Sequence, residues 1–172
     1  MWDAWEQRRG AWLGIGLVLG ICIGAMLPHT PSYAVATDRH ETFAICTGSV
    51  DDDLEAIYFL DFLTGDLRAL TISLRTSEFV GYYEYNVTQD LATDAGKTPR
   101  YGMITGYARL RQNTGQLRPS HSLLYVTEGT SGIVAAYALP WNGNLAQSVK
   151  PYNQSLVKLD AKPMRNVVIR EE

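Results

Sequence analysis

The sequence predicts an all-β, antiparallel domain built from two similar halves and preceded by one apolar helix. Three observations lead there. Beyond residue 40, short runs rich in aromatic and β-branched residues recur between Gly, Pro, Asn and Asp, the pattern of strands separated by turns. No segment in that region keeps a helical period over three turns. Two stretches also match without a gap, YFLDFLTGDLRA at 58–69 and YVTEGTSGIVAA at 125–136, which is the mark of internal repetition.

The N-terminal segment reads as a membrane signal. Arg8 and Arg9 precede an uncharged run from Gly10 to Pro28, long enough as a helix to span roughly 28 Å of bilayer. The arginines stay on the cytoplasmic side, so the rest of the chain is expected outside, on the extracytoplasmic face of the membrane. Gly16, Gly20 and Gly24 form a GxxxGxxxG row that lets helices approach closely. SYAVA places Ala34 and Ala36 in an A-x-A relation, so a cleaved secretory signal is the alternative to an uncleaved signal anchor. Residues 1–28 are therefore assigned to a cytoplasmic arm and transmembrane or signal helix. Residues 29–41, entered through Pro28 and Pro31, are assigned to a linker, and 42–172 to a β domain.

Within that domain the expected strands are 42–47, 56–62, 67–74, 79–86, 101–109, 122–127, 133–139, 156–159 and 166–170. Only DLATDAGKTPR suggests a helical turn, with Asp90 as its cap. The repeats lie near 42–86 and 101–170. FAICTG at 43–48 corresponds to YGMITG at 101–106, and in the hairpins Tyr58 matches Tyr125, Asp61 matches Glu128 and Gly65 matches Gly132. A tight hairpin needs a residue that tolerates φ > 0, which explains the glycines. Asp61 and Glu128 at equivalent places are expected to accept backbone hydrogen bonds in the turns.

IYFLDFLTGDL resembles the repeats of quinoprotein-type β-propellers, and LLYVTEGTSGIVAAYAL is similar to hairpins of lactonase-like propellers. That likeness implies fold alone. Two blades cannot close a ring, so a propeller would need three copies for six blades or four for eight. A sandwich or barrel closed within one chain is the other expectation. HTPSYAVATDRHETFAICTG, EAIYFLDFLTGDLRA and VTEGTSGIVAAYALPWN together resemble a family of membrane-anchored proteins of planctomycete bacteria. The resemblance implies a bacterial envelope protein, with its β domain on the periplasmic side of the membrane, and brings no activity.

The chemistry is sparse. A net charge of −3 gives no basic stripe for nucleic acid. Cys46, between apolar neighbours, is expected to be a buried small hydrophobe. His29, His40 and His121 show no metal-ligand spacing, so no metal and no cofactor is implied. Asp51, Asp52, Asp53 and Glu55 form an acidic loop, read as solvated rather than as a calcium site. Ser120 beside His121 makes no triad by adjacency, and no catalytic residue is assigned. Aromatic residues are the better lead: Tyr82, Tyr83 and Tyr85 on one strand, and Trp141 in the turn-rich LPWNGN, are candidate binding residues. The expected function is a membrane-anchored structural or interaction module that assembles with copies of itself or with envelope partners. A lectin-like glycan- or ligand-binding domain, with those aromatics as a stacking surface, is the alternative.

Overall fold

The computed structural model describes residues 12, 16–22, 37–91, 99–110 and 118–165. The chain divides into two units, Met1–Tyr33 and Ala34–Glu172. In the first unit, Trp12 and residues 16–22 are helical and exposed. No helix among the described residues is long and apolar enough to cross a membrane. Most of the predicted span, including Gly24, lies outside the described residues. Gly16 and Gly20 are on the helix, with open space where a Cβ would stand.

The second unit is a β domain, as the turn-punctuated apolar runs predict. Its strands are β1 (Thr37–Arg39), β2 (Phe43–Asp51), β3 (Leu54–Asp61), β4 (Asp66–Ile72), β5 (Phe79–Asn86), β6 (Tyr101–Tyr107), β7 (Arg118–Glu128), β8 (Ile133–Trp141), β9 (Tyr152–Ser155) and β10 (Val157–Pro163). They form two sheets, β1-β2-β3-β4-β5-β9 and β10-β8-β7-β6. Every pairing is antiparallel except β9 on β5. The sheets pack face to face around one apolar core and approach most closely where β2 lies against β6 and β7.

Several elements depart from expectation. Part of the 29–41 linker is strand: β1 pairs with β2 from Thr37 to Arg39. β7 starts at Arg118, four residues before the predicted strand, and an irregularity between Pro119 and Leu123 absorbs the proline. β9, the sequence YNQS, has no apolar alternation and owes its place to pairing with β5. Asn86 caps a 3₁₀ turn, Val87–Gln89, through its side-chain oxygen, and Asp90 follows at its C-terminal end; residues 92–98, where the helical turn is expected, lie outside the described residues. Of the predicted final strand, residues 166–170 lie outside the described residues.

The two halves repeat in detail. Strands β2 to β5 form one antiparallel meander, and β6, β7, β8 and β10 form another with matching register. Phe43 faces Asp61 as Tyr101 faces Glu128; Ile57 faces Leu70 as Leu124 faces Tyr137; Asp66 faces Asn86 as Ile133 faces Pro163. The turns agree atom for atom. Gly65 N–H donates to the Asp61 carbonyl and Gly132 N–H to that of Glu128, both at 2.9 Å, while Phe62 N–H reaches Thr42 and Gly129 N–H reaches Arg100. Both glycines have positive φ, 71° and 68°, where a Cβ would be strained.

Asp61 and Glu128 accept the turn N–H groups, as expected: Leu63 and Thr64 donate to Asp61, Thr130 and Ser131 to Glu128. Glu128 is buried. Burial opposes its charge, but hydrogen bonds from Ser131, Thr130 and Arg100 outweigh that and hold its carboxyl down at about 2. Its contribution to stability is therefore complete above the ordinary glutamate pKa of about 4.3 and lost as pH falls toward the folded value, a span worth on the order of 3 kcal/mol. Glu128→Gln should remove this acid-dependent part, so the urea midpoint of the variant should change less than that of the parent between about pH 4.3 and 2. An unaltered acid limb would show that the turn does not depend on this charge.

The repeat also fixes which faces are buried. Sheet one turns Ala44, Cys46, Tyr58 and Ala69 into the core; their register equivalents in sheet two, Gly102, Ile104, Tyr125 and Ala136, lie on its outer face. Conversely, Tyr101, Met103, Leu124 and Val126 of sheet two are buried, and their equivalents Phe43, Ile45, Ile57 and Phe59 are on the outside of sheet one. The two meanders are thus stacked front to back rather than related by a dyad.

Candidate interaction surface

A sheet with one face in water normally alternates apolar inside with polar outside. Sheet one does not. Its outer face carries Phe43, Ile45, Ile57, Phe59, Leu70 and Tyr82, with charge at Glu55, Asp66, Arg68 and Glu84; Arg68 faces Glu84 across β4 and β5. Phe43 and Phe59 stack with centroids 5.1 Å apart, and His40 stacks on Phe43. Phe59 is 36% exposed. The outer face of sheet two has a different shape, and its charges, Asp160 and Lys162, lie on β10 opposite Ala136 and Val134, 3.7 Å apart. Gly102, Gly106, Val134 and Ala136 make it shallow, with Ile104, 57% exposed, standing out of it. One face is ridged and the other is smooth.

The predicted aromatic residues are divided by the pleat. Tyr82 is on the outer face of sheet one and 38% exposed. Tyr83 points into the core, its ring edge-on to Tyr152. Gly81 is the reason the two rings fit: a Cβ there would stand 2.5 Å from the Tyr152 hydroxyl oxygen and closer still to Thr71. Tyr85 is half-buried, and its hydroxyl donates to Asp90 at 2.8 Å. Burial, the hydrogen bond to Asp90 and its charge push Tyr85 up to about 12. Trp141 is the last residue of β8 rather than part of a loop, and at 2% exposure it presents no ring face to solvent.

Asp90 ties the sheets together, a role that its place after β5 does not announce. Its buried carboxylate accepts from Tyr85 of β5, from Tyr137 of β8 at 3.1 Å, and from Lys158 Nζ of β10 at 2.6 Å. Burial works against the charge, yet the hydrogen bonds from Lys158, Tyr85 and Tyr137 prevail and lower its pKa.

The acidic loop meets a histidine that its sequence position does not suggest. Packing of β2 on β7 brings His121 to Asp51 and Asp52, with Nε2 3.6 Å from the Asp51 carboxylate and Nδ1 3.5 Å from that of Asp52. One ligand atom from each of the three lies within 4.8 Å of the others. Arg118 already holds Asp51 at 2.8 Å, and Arg109 stands 4.0 Å from Asp52. Two guanidinium groups thus balance the two carboxylates, and the cluster ties the β2–β3 turn to β7. Ser120 donates to the Ser122 carbonyl, not to the imidazole. Cys46 is buried, and burial raises its thiol to about 12, leaving it a packing residue as expected.

No protein family matches this chain, and comparison with curated proteins and with solved structures finds no match.

Proposed function

We propose that this chain is a protein-interaction module of the bacterial envelope, held at the membrane by its N-terminal segment and assembling through the faces of its β domain. The observation that carries the reading is the outer face of sheet one, where Phe43, Ile45, Ile57, Phe59 and Leu70 occupy positions that solvent would populate with polar residues. Contiguous exposed apolar surface of this kind marks interaction sites on stable proteins. No arrangement of nucleophile, base and orienter competes with it among the described residues, and the aromatic core residues Tyr83 and Trp141 serve packing.

The intact chain, extracted in mild detergent and sized by light scattering with the detergent contribution subtracted, is expected at a multiple of 19.1 kDa or bound stoichiometrically to an envelope protein. A single-chain particle at every concentration, with no envelope protein crosslinked to it in cells, would contradict the reading.

A further inference from the structure

We infer that the partner is a second copy of this chain, docked head to tail, with the outer face of sheet one in one copy against the outer face of sheet two in the next. This pairing, which rests on the interaction reading above, follows from the way the two meanders are stacked. The internal interface joins the inner face of sheet one to the inner face of sheet two. By register, the free face of sheet two is the equivalent of the first, and the free face of sheet one is the equivalent of the second. Each chain therefore ends, on its two sides, in the two halves of an interface it already makes inside itself.

The side chains keep the match. On the free face of sheet one, Phe43, Ile45 and Thr47 stand where sheet two buries Tyr101, Met103 and Thr105. On the free face of sheet two, Gly102, Gly106, Tyr125 and Ala136 stand where sheet one buries Ala44, Gly48, Tyr58 and Ala69. The closest internal approach shows what would be repeated. Thr105 donates its hydroxyl to the Thr47 carbonyl, and its methyl lies 3.0 Å from the Cβ position of Gly48. In the contact between copies, Thr47 takes the place of Thr105 and Gly106 of the next copy takes that of Gly48. The Tyr125 ring, 3.2 Å from the Cβ position of Gly106, turns aside on docking. Arg68, where sheet two has Ala135, sits on β4, away from the closest strands, opposite Glu84 in register and 3.7 Å from the Asp66 carboxylate.

Such a contact is heterologous: it propagates, and it closes into a ring when its rotation allows. Propellers close with about four to eight blades, so two, three or four copies would suffice.

Mixing two surface variants of the full-length chain tests this. Phe59→Arg spoils only the ridged face and Ile104→Arg only the smooth one, and because both positions are exposed in the single chain each variant should keep the parent's circular dichroism. Each alone is expected to associate about 100-fold more weakly or worse than the parent, since a charge is buried without a partner. An equimolar mixture retains one intact pair of faces and should give a one-to-one dimer. Ile45→Lys and Val157→Lys provide a second pair should either arginine variant unfold. If the parent assembles while a variant of one face assembles equally well, or if the mixture stays monomeric, head-to-tail pairing is overturned and association through another surface stands. A monomeric parent would overturn this pairing and the interaction reading together.

Discussion

Asp90→Ala is expected to destabilise the β domain by about 3–5 kcal/mol. The carboxylate is the common acceptor for two tyrosine hydroxyls and one lysine, drawn from both sheets. Removing it leaves the Tyr85 and Tyr137 hydroxyls and the Lys158 ammonium facing one another with no acceptor. Tyr137→Phe removes a donor without orphaning the acceptor and should cost only about 1 kcal/mol. The contrast between these two variants, read from urea midpoints, separates a shared buried acceptor from three independent bonds. pH adds a second signature. Because the Asp90 pKa is lowered in the folded protein, its stabilisation is complete above the ordinary aspartate value of about 3.9 and lost as pH falls below it. The difference between parent and Asp90→Ala should therefore shrink on acidification. A gap that stays constant with pH would mean that the charge is not what stabilises the site.

Trp141→Ala should cost about 3–5 kcal/mol through loss of burial and the cavity left behind. The ring is among the largest fully buried side chains and packs in the same cluster as Leu139, Leu156 and Ala146. Trp141→Phe keeps most of that volume and should lose clearly less. Denaturant melts of the two variants provide the measurement; a neutral Trp141→Ala would place the ring outside the core. This expectation bears on the carbohydrate-stacking alternative, because a tryptophan with its faces packed against the core has none left for a sugar.

The strand pattern, the two hairpins and their glycines were legible in the sequence because turn chemistry is local: Gly65 and Gly132 must adopt positive φ, and Asp61 and Glu128 must satisfy the turn N–H groups next to them. The assignment of faces was not legible. Alternation reveals a buried face only when the other face is polar, and here Phe43, Ile45 and Phe59 on the outside are as apolar as Ala44, Cys46 and Leu60 inside. Tyr82, Tyr83 and Tyr85 look alike in sequence; the pleat turns Tyr82 outward and Tyr83 and Tyr85 inward, and only Tyr83 is deep enough to be fully buried. β1 and β9 escaped notice because an edge strand needs only a neighbour's backbone groups, and TDR and YNQS carry no hydrophobic signature. His121 meets Asp51 and Asp52, and Asp90 meets Tyr137, through sheet packing across more than 40 positions, a relation that no spacing rule encodes.

The central claim is that the chain's two free faces are the halves of its own internal interface. Disulfide trapping with single-cysteine variants tests it most directly. In a Cys22→Ser background, Thr47→Cys and Gly106→Cys are prepared separately and mixed under mild oxidation. Within the chain, the equivalent pair brings the Thr105 Cβ to 3.2 Å from the Cβ position of Gly48, close to the usual disulfide separation of about 3.5–4.5 Å. Cys46 is buried with a raised pKa and should not compete. Head-to-tail docking predicts a disulfide-linked dimer only in the mixture, one chain of each variant, reversed by reductant. Dimers formed by Thr47→Cys or Gly106→Cys alone, or none in the mixture while the protein is assembled, would contradict it.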